Sequence, residues 1–243
     1  MKLDILAIVA HPDDAELSCS GTLMLHKFKG YKTGVVDLTQ GELGSRGSVE
    51  IRQRETSASN KILQLDVREN LNMRDGFFVN DEKHQLEVIK VLRKYQPNIV
   101  ITNAPHDRHP DHGRAAALVK DACFLAGLIK IETFDNEKSQ APWRPKKVFQ
   151  MIQDVFIEPD FIIDISTTIN QKIDSIKAYS SQFVGEESDG PLTYISSKQY
   201  VDRSLYRSSM LGKRIGVQYG EGFIKTTAIG LEDFGALILP EFV

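Results

Sequence analysis

The apolar positions of this chain follow two periods, and their alternation predicts the architecture. Residues 5–10 (Ile5, Leu6, Ala7, Ile8, Val9, Ala10) are apolar without a break, the pattern of a strand buried on both faces rather than half-exposed. That run stops at His11-Pro12-Asp13-Asp14, and a helix is expected over about 15–29, closed by Gly30. A second strand over 34–39 feeds a glycine-rich loop from Gly41 to Gly47. Ser48 is then placed to cap a helix with Ile51, Ala58, Ile62 and Leu65 on one face. A helix over about 81–95 turns Leu86, Ile89, Val91 and Leu92 inward, and Pro97 ends it. Residues 98–102 read as another buried strand, 103–111 as a loop and 112–126 as an alanine-rich helix.

Beyond Gly127 the periodicity loosens. Residues 135–147, with Trp143 between two prolines, read as a surface excursion. Strands are expected over 148–155 and 161–165, helices over 167–183 and 196–211, and a polar loop over 185–192. Strand and helix alternating at these spacings predict right-handed βαβ units. The fold class is therefore α/β, a Rossmann-like open parallel sheet with helices on both faces, in a single domain over 1–243.

Composition narrows the function classes. Of 243 residues, 30 are basic and 33 acidic, a net charge of -3, which argues against a general nucleic-acid or anionic-membrane binder. The two cysteines, Cys19 and Cys123, exclude a disulfide scaffold or a four-cysteine zinc module and suit a reducing cytoplasm. Both fall among apolar neighbours and are expected to be packing residues. The short apolar run after Met1-Lys2-Leu3-Asp4 is neither a signal segment nor a membrane span. The expectation is a cytoplasmic protein with no membrane or nucleic-acid partner. The loop at Gly41–Gly47 lacks the Gly-Lys-Ser/Thr end of a nucleotide-binding P-loop.

The chemistry collects in two loops that each follow a buried strand, where open α/β sheets place their ligands. One holds His11, Asp13 and Asp14; the other holds His106, Asp107, Arg108, His109, Asp111 and His112. Four of the six histidines lie there, which helix capping by Asp does not explain. Catalytic zinc takes three ligands from His, Asp or Glu and leaves a position for water, and His11, Asp14 and His112 supply such a set. A metal so held lowers the pKa of its water from about 15.7 towards 7. Asp13, one residue out of phase with Asp14, is a candidate general base. His109, three residues before His112, is a candidate stabiliser of a developing oxyanion, with Asp111 placed to orient its ring.

Two histidines and a carboxylate also serve non-haem iron oxygenases, and imidazole with carboxylate accepts ferrous iron as readily as zinc. A base and a further imidazole beside the ligands suit hydrolysis better than oxygen chemistry. A structural zinc site, the non-catalytic alternative, is normally closed by four protein ligands. Arg52, Arg54 and Arg108 are candidates for a substrate carboxylate, which guanidinium pairs with bidentately.

At these residues the sequence resembles the LmbE-like, PIG-L type N-acetylglucosaminyl deacetylases. The resemblance rests on Ala10-His11-Pro12-Asp13-Asp14 and His109-Pro110-Asp111-His112. It extends to the Gly41–Gly47 loop, to Arg52-x-Arg54-Glu55, to Ala178-Tyr179-x-Ser181-Gln182-Phe183 and to Tyr219-Gly220-Glu221-Gly222-Phe223. Within the family it is most similar to the deacetylases of bacillithiol biosynthesis. That resemblance implies hydrolysis of the acetamide of an N-acetylglucosaminyl conjugate, N-acetylglucosaminyl malate foremost, with chitooligosaccharide or sugar-inositol conjugates as the alternatives. It implies His11, Asp14 and His112 as ligands of Zn2+ or Fe2+, Asp13 as base, His109 as the charged stabiliser and Arg52 near the active site. It also implies Tyr200 as a tyrosine reaching the tetrahedral intermediate, and a trimeric or hexameric assembly.

Overall fold

The structure, a computed structural model, describes residues 1–183, 191–197 and 199–239. In chain order the elements are β1 (Ile5–Val9), α1 (Asp14–Ser18), α2 (Ser20–Phe28), β2 (Thr33–Thr39), α3 (Val49–Leu63) and β3 (Val67–Met73). There follow α4 (Glu82–Tyr95), β4 (Ile99–Thr102), α5 (Pro110–Leu125) and a small hairpin of β5 (Phe134–Asp135) and β6 (Lys138–Ser139). The remainder comprises β7 (Lys147–Met151), β8 (Phe161–Asp164), α6 (Ile169–Lys177), α7 (Ser180–Phe183), α8 (Gln199–Arg214) and β9 (Gly220–Lys225).

Seven strands form one sheet in the order β3-β2-β1-β4-β7-β9-β8. The first five run parallel, and β9 lies antiparallel between β7 and β8. Because successive side chains of a strand point to opposite faces, β1 feeds two cores at once. Leu6, Ile8 and Ala10 pack with α4 and α5 residues such as Val88, Leu92, Leu118 and Ala122. Ile5, Ala7 and Val9 pack on the other face with Leu23 and Leu63 of α2 and α3. The open sheet with helices on both faces is thus as the apolar runs predict.

Several elements differ from the sequence reading. β3 was not expected, because Arg68, Glu69, Asn70 and Asn72 disguise a strand whose polar side chains bond inside the protein: Arg68 to Asp37, and Asn70 to the Thr39 carbonyl. β9 was not expected either, since its glycines lack strand propensity. They are needed for close approach: a Cβ at Gly222 would meet Ile152 at 3.0 Å and one at Gly220 would meet Ile162 at 2.5 Å.

The helix over 15–29 is two, broken at Cys19 (φ −137, ψ 6). There the buried Glu221 carboxylate accepts from the Gly21 and Thr22 backbone N–H groups, capping α2 from a distant strand. Lys172 donates to that carboxylate at 2.8 Å and to the Glu16 carbonyl at 2.9 Å. The helix over 167–183 breaks likewise, into α6 and α7, and 148–155 is strand only to Met151. The expected cap is present: Ser48 accepts from the Ile51 N–H at 3.3 Å. Of the polar loop over 185–192, residues 185–190 lie outside the described residues. No helix among the described residues is long and apolar enough to cross a membrane.

Candidate active site

The strand order reverses direction between β1 and β4, and the crevice outside their carboxyl ends is where the two histidine-bearing loops meet. They are tied at the root, since Asn103 after β4 accepts from the Ala10 N–H at 2.9 Å. One cavity of about 440 Å³ at this point is lined by eight of the nine predicted site residues: His11, Asp13, Asp14, Arg52, Arg108, His109, His112 and Tyr200. The ninth, Asp111, lies buried directly behind it.

Asp14 opens α1 and is the centre of the cluster. Its Oδ1 faces His112 Nε2 at 3.1 Å and its Oδ2 faces His11 Nδ1 at 3.5 Å. The Gln153 and Asn103 amides donate to the two oxygens at 2.9 and 3.0 Å and fix the carboxylate plane. Each imidazole is held from its far side as well. His112 Nδ1 sits 2.5 Å from Asp107, and His11 Nε2 sits 3.1 Å from Asp75 and 3.3 Å from Asp111. Four carboxylates therefore press on two imidazoles. Burial disfavours charge on His112, yet Asp14 and Asp107 outweigh it and raise its pKa to about 9. Asp14 is buried too, but the two histidines hold it well below the usual carboxylate range.

This arrangement fits a divalent cation. Asp14 lies between the two imidazoles and meets one with each oxygen, and the far atoms of all three side chains are fixed by hydrogen-bonding partners, as metal-binding histidines require. The donor atoms that lie mutually within 4.8 Å are those of His11, His109 and His112, so that His109 extends the cluster, and those of His11, Asp75 and Asp111. The His109 ring meets that of His11 edge-on, with centroids 4.6 Å apart.

Asp13 has a backbone that non-glycine residues rarely adopt, φ 118 and ψ −21. That twist turns its carboxylate away from Asp14 and towards Arg52, whose Nη1 donates to Asp13 Oδ2 at 3.0 Å and to the Pro12 carbonyl at 2.6 Å. Burial pushes the Asp13 carboxyl up to about 7 against the pull of Arg52.

Behind Arg52, whose guanidinium lies 5.9 Å from the Tyr179 ring centre, runs a buried network. Glu16 accepts from Ser59, Arg68 and Tyr179 at 2.6, 2.7 and 3.1 Å, and Arg68 pairs bidentately with Asp37 at 2.8 and 2.9 Å.

The predicted partner of Asp111 needs correction. The link between it and His109 is Asp111 N–H donating to His109 Nδ1 at 3.3 Å, as an N-cap to α5. The Asp111 carboxylate instead contacts His11 Nε2 and accepts from Gly76 N–H and from Arg114, because Pro110 starts the helix and swings residue 111 towards the neighbouring strand. Burial lowers the His109 pKa, and His11 and His112 lower it further.

Tyr200, on α8, stacks on Phe183 with ring centres 5.6 Å apart in the cavity wall. Arg108 is exposed and pairs with Asp154 at 2.8 Å. His106 and Arg54 are exposed and line no part of the cavity. Arg46 does line it, buried, donating to the Ser181 and Pro191 carbonyls. Trp143 is a local anchor, its Nε1 donating to the Pro97 carbonyl at 2.8 Å. Both cysteines are buried, and burial raises their thiols. Asp75 and Gln153 were missed. Asp75 follows the unrecognised β3, and Gln153 fell inside a stretch expected to be strand.

A family model described as "PIG-L: GlcNAc-PI de-N-acetylase" matches residues 6–123. The diacetylchitobiose deacetylase of Thermococcus kodakarensis is 27% identical over 189 residues, 74% of this chain and 70% of that protein. The "Probable N-acetyl-alpha-D-glucosaminyl L-malate deacetylase 2" of Bacillus subtilis is 25% identical over 202 residues, covering 76% and 86%. Among solved structures, a conserved protein from Thermus thermophilus superposes with a TM-score of 0.84 at 33% identity, covering 96% of this chain and 98% of that one.

Proposed function

The chain belongs to the PIG-L/LmbE-like deacetylase family, and on that premise we propose that it is a single-domain metal-dependent amidase that removes the acetyl group from an N-acetylglucosaminyl conjugate. The observation that carries the reading is the convergence of His11, Asp14 and His112 from β1 and β4, with Asp13 and His109 opening onto the same cavity. His11, Asp14 and His112 are the residues to hold the cation, zinc by preference and ferrous iron by the same donor chemistry. Bound there, it supplies a Lewis acid for the acetamide carbonyl and acidifies a water molecule.

The protein's own groups do the rest. Asp13, held by Arg52, takes a proton from the attacking water as its oxygen bonds to the acetamide carbon. His109 accepts from the Asp111 N–H at Nδ1, which leaves Nε2 as the proton-bearing nitrogen facing the cavity, a donor for the oxygen that gains charge. As the carbon–nitrogen bond breaks, the proton that Asp13 took from the water passes to the departing amine, and the products are acetate and the free amino sugar. Tyr200, in the same wall, is the candidate second donor.

The aglycone is the finer part of the reading. The relatives' names offer an N-acetylglucosaminyl malate and a diacetylchitobiose. The malate conjugate is preferred on the likeness to the malate deacetylase; Arg52 and Arg108 line the cavity but are already paired with Asp13 and Asp154. The test is Asp13→Asn with metal content measured alongside. Acetate release from N-acetylglucosaminyl malate should fall at least about a hundredfold with metal per chain unchanged. Undiminished release would remove Asp13 from the base role.

A further inference from the structure

The catalytic cavity does not end at Tyr200. A second cavity of about 440 Å³ continues from it, and the two share Leu17, Asp154, Tyr194, Tyr200 and Arg207 as a common wall. The far side carries Phe156 and Tyr206, each more than half exposed, as an aromatic ledge open to solvent. Large exposed aromatic side chains gathered in one concavity mark a binding surface more often than chance scatter does.

The charges of this chamber are unbalanced. Arg108 and Asp154 cancel each other at 2.8 Å, and Asp154 also accepts from the Tyr194 hydroxyl at 3.0 Å. Two cations remain. Arg207 is fixed, its guanidinium donating to the Gln153 and Leu17 carbonyls; no carboxylate among the described residues forms an ion pair with it, although Glu221, Asp154 and Asp107 lie near enough to act on its charge. Arg203 stands one turn earlier on the same face of α8. Its one cation–π contact among the described residues is over the Tyr194 ring, 5.5 Å from the centre, and its side chain is exposed. Two guanidinium groups on one helix face, neither in an ion pair among the described residues, favour an anion here, and the exposed Arg203 is the one that can meet it directly.

We propose that this chamber receives the aglycone of the substrate, that the aglycone is anionic, and that Arg203 is the residue that selects it. The proposal rests on the deacetylase reading for the position of the acetamide. The aglycone's carbon skeleton lies against Tyr194, Tyr206 and Phe156, and its carboxylate meets Arg203 within the field of Arg207.

The test compares N-acetylglucosaminyl malate with its dimethyl ester, which has the same skeleton without the charge. The wild-type protein should favour the diacid in kcat/KM by about tenfold or more, and Arg203→Gln should reduce that preference about tenfold, through KM rather than kcat. Arg203→Lys should recover part of it, and Lys213→Gln, an exposed charge change on the same helix, none of the loss. Glucosaminyl malate, which has no acetamide, gives a readout independent of turnover. Its dissociation constant by calorimetry should rise about tenfold in Arg203→Gln. A wild-type preference near one, or a preference and affinity that survive Arg203→Gln, would overturn the proposal. If no conjugate releases acetate while Arg203-dependent binding persists, the hydrolytic reading fails and the subsite stands. If acetate is released without discrimination by charge, the reverse holds.

Discussion

Asp107→Asn is a one-atom change with a consequence that can be worked from its partners. Asp107 Oδ1 accepts from the backbone N–H groups of Val155 and Asp154 at 2.7 and 3.2 Å, and Oδ2 faces His112 Nδ1 at 2.5 Å. An asparagine must keep its single oxygen on the two N–H donors, so its NH2 group is forced towards His112 Nδ1. That nitrogen must then present a lone pair, and the imidazole proton moves to Nε2, which faces Asp14 at 3.1 Å. A protonated nitrogen does not ligate a metal. Restoring the ligating tautomer breaks the new hydrogen bond and leaves two donors face to face, a cost of about 1.5–3 kcal/mol. That is a loss of about ten- to a hundredfold in metal affinity, the range seen when a histidine loses its orienting carboxylate. The assay is competition for zinc against a chromophoric chelator at neutral pH, with unfolding of the metal-free protein as the control. The metal-free variant should unfold near the wild-type temperature, because both backbone bonds survive. A zinc affinity within about twofold of wild type would refute the assignment of His112 as a ligand through Nε2.

Other outcomes follow from the interior. Lys172→Met leaves the buried Glu221 carboxylate without its cation and should cost about 3–5 kcal/mol in urea unfolding; a loss under about 1 kcal/mol would show the pair to be dispensable. Adding Glu221→Gln should cost less than the sum of the two single changes, which a double-mutant cycle reads directly. Gly21→Ala would put a Cβ 2.8 Å from Ile165 and 3.1 Å from a Glu221 carboxylate oxygen, so a loss of about 1–3 kcal/mol is expected. Burial alone would raise the Glu16 carboxyl, but Arg68 and Ser59 hold it below its ordinary value of 4.5. Its stabilisation is therefore present above that value and is lost as pH falls through the lower folded value. Ser59→Ala should bring acid unfolding to higher pH, and an unchanged acid limb of the stability curve would count against it.

How much of this was legible in the sequence depended on whether a residue's role was local. The strands β1 and β4 announce themselves because both faces are buried and every position is apolar up to Thr102. The two loops of the candidate site were legible because His11, Asp14, His109 and His112 depart from the surrounding pattern at strand ends. Asp75 and Gln153 carry no such signal: each acts across the sheet on an imidazole or carboxylate supplied by another segment. β3 was hidden for the same reason, since Arg68 reads as a surface charge until Asp37 and Glu16 are found beside it. The misassigned partner of Asp111 shows the limit from the other side. Sequence proximity to His109 suggested one imidazole, and the helix start at Pro110 delivered the carboxylate to another.

The adjacency of β1 and β4 has a consequence for the order of events in the cell. These strands are neighbours in the sheet, yet the bond that ties their loops joins positions 93 residues apart. A chain emerging from the ribosome offers His11 and Asp14 long before it offers His112, and it cannot grip an ion from both loops until the middle of the sheet has closed. Uptake of the proposed cation would thus report that long-range assembly is finished.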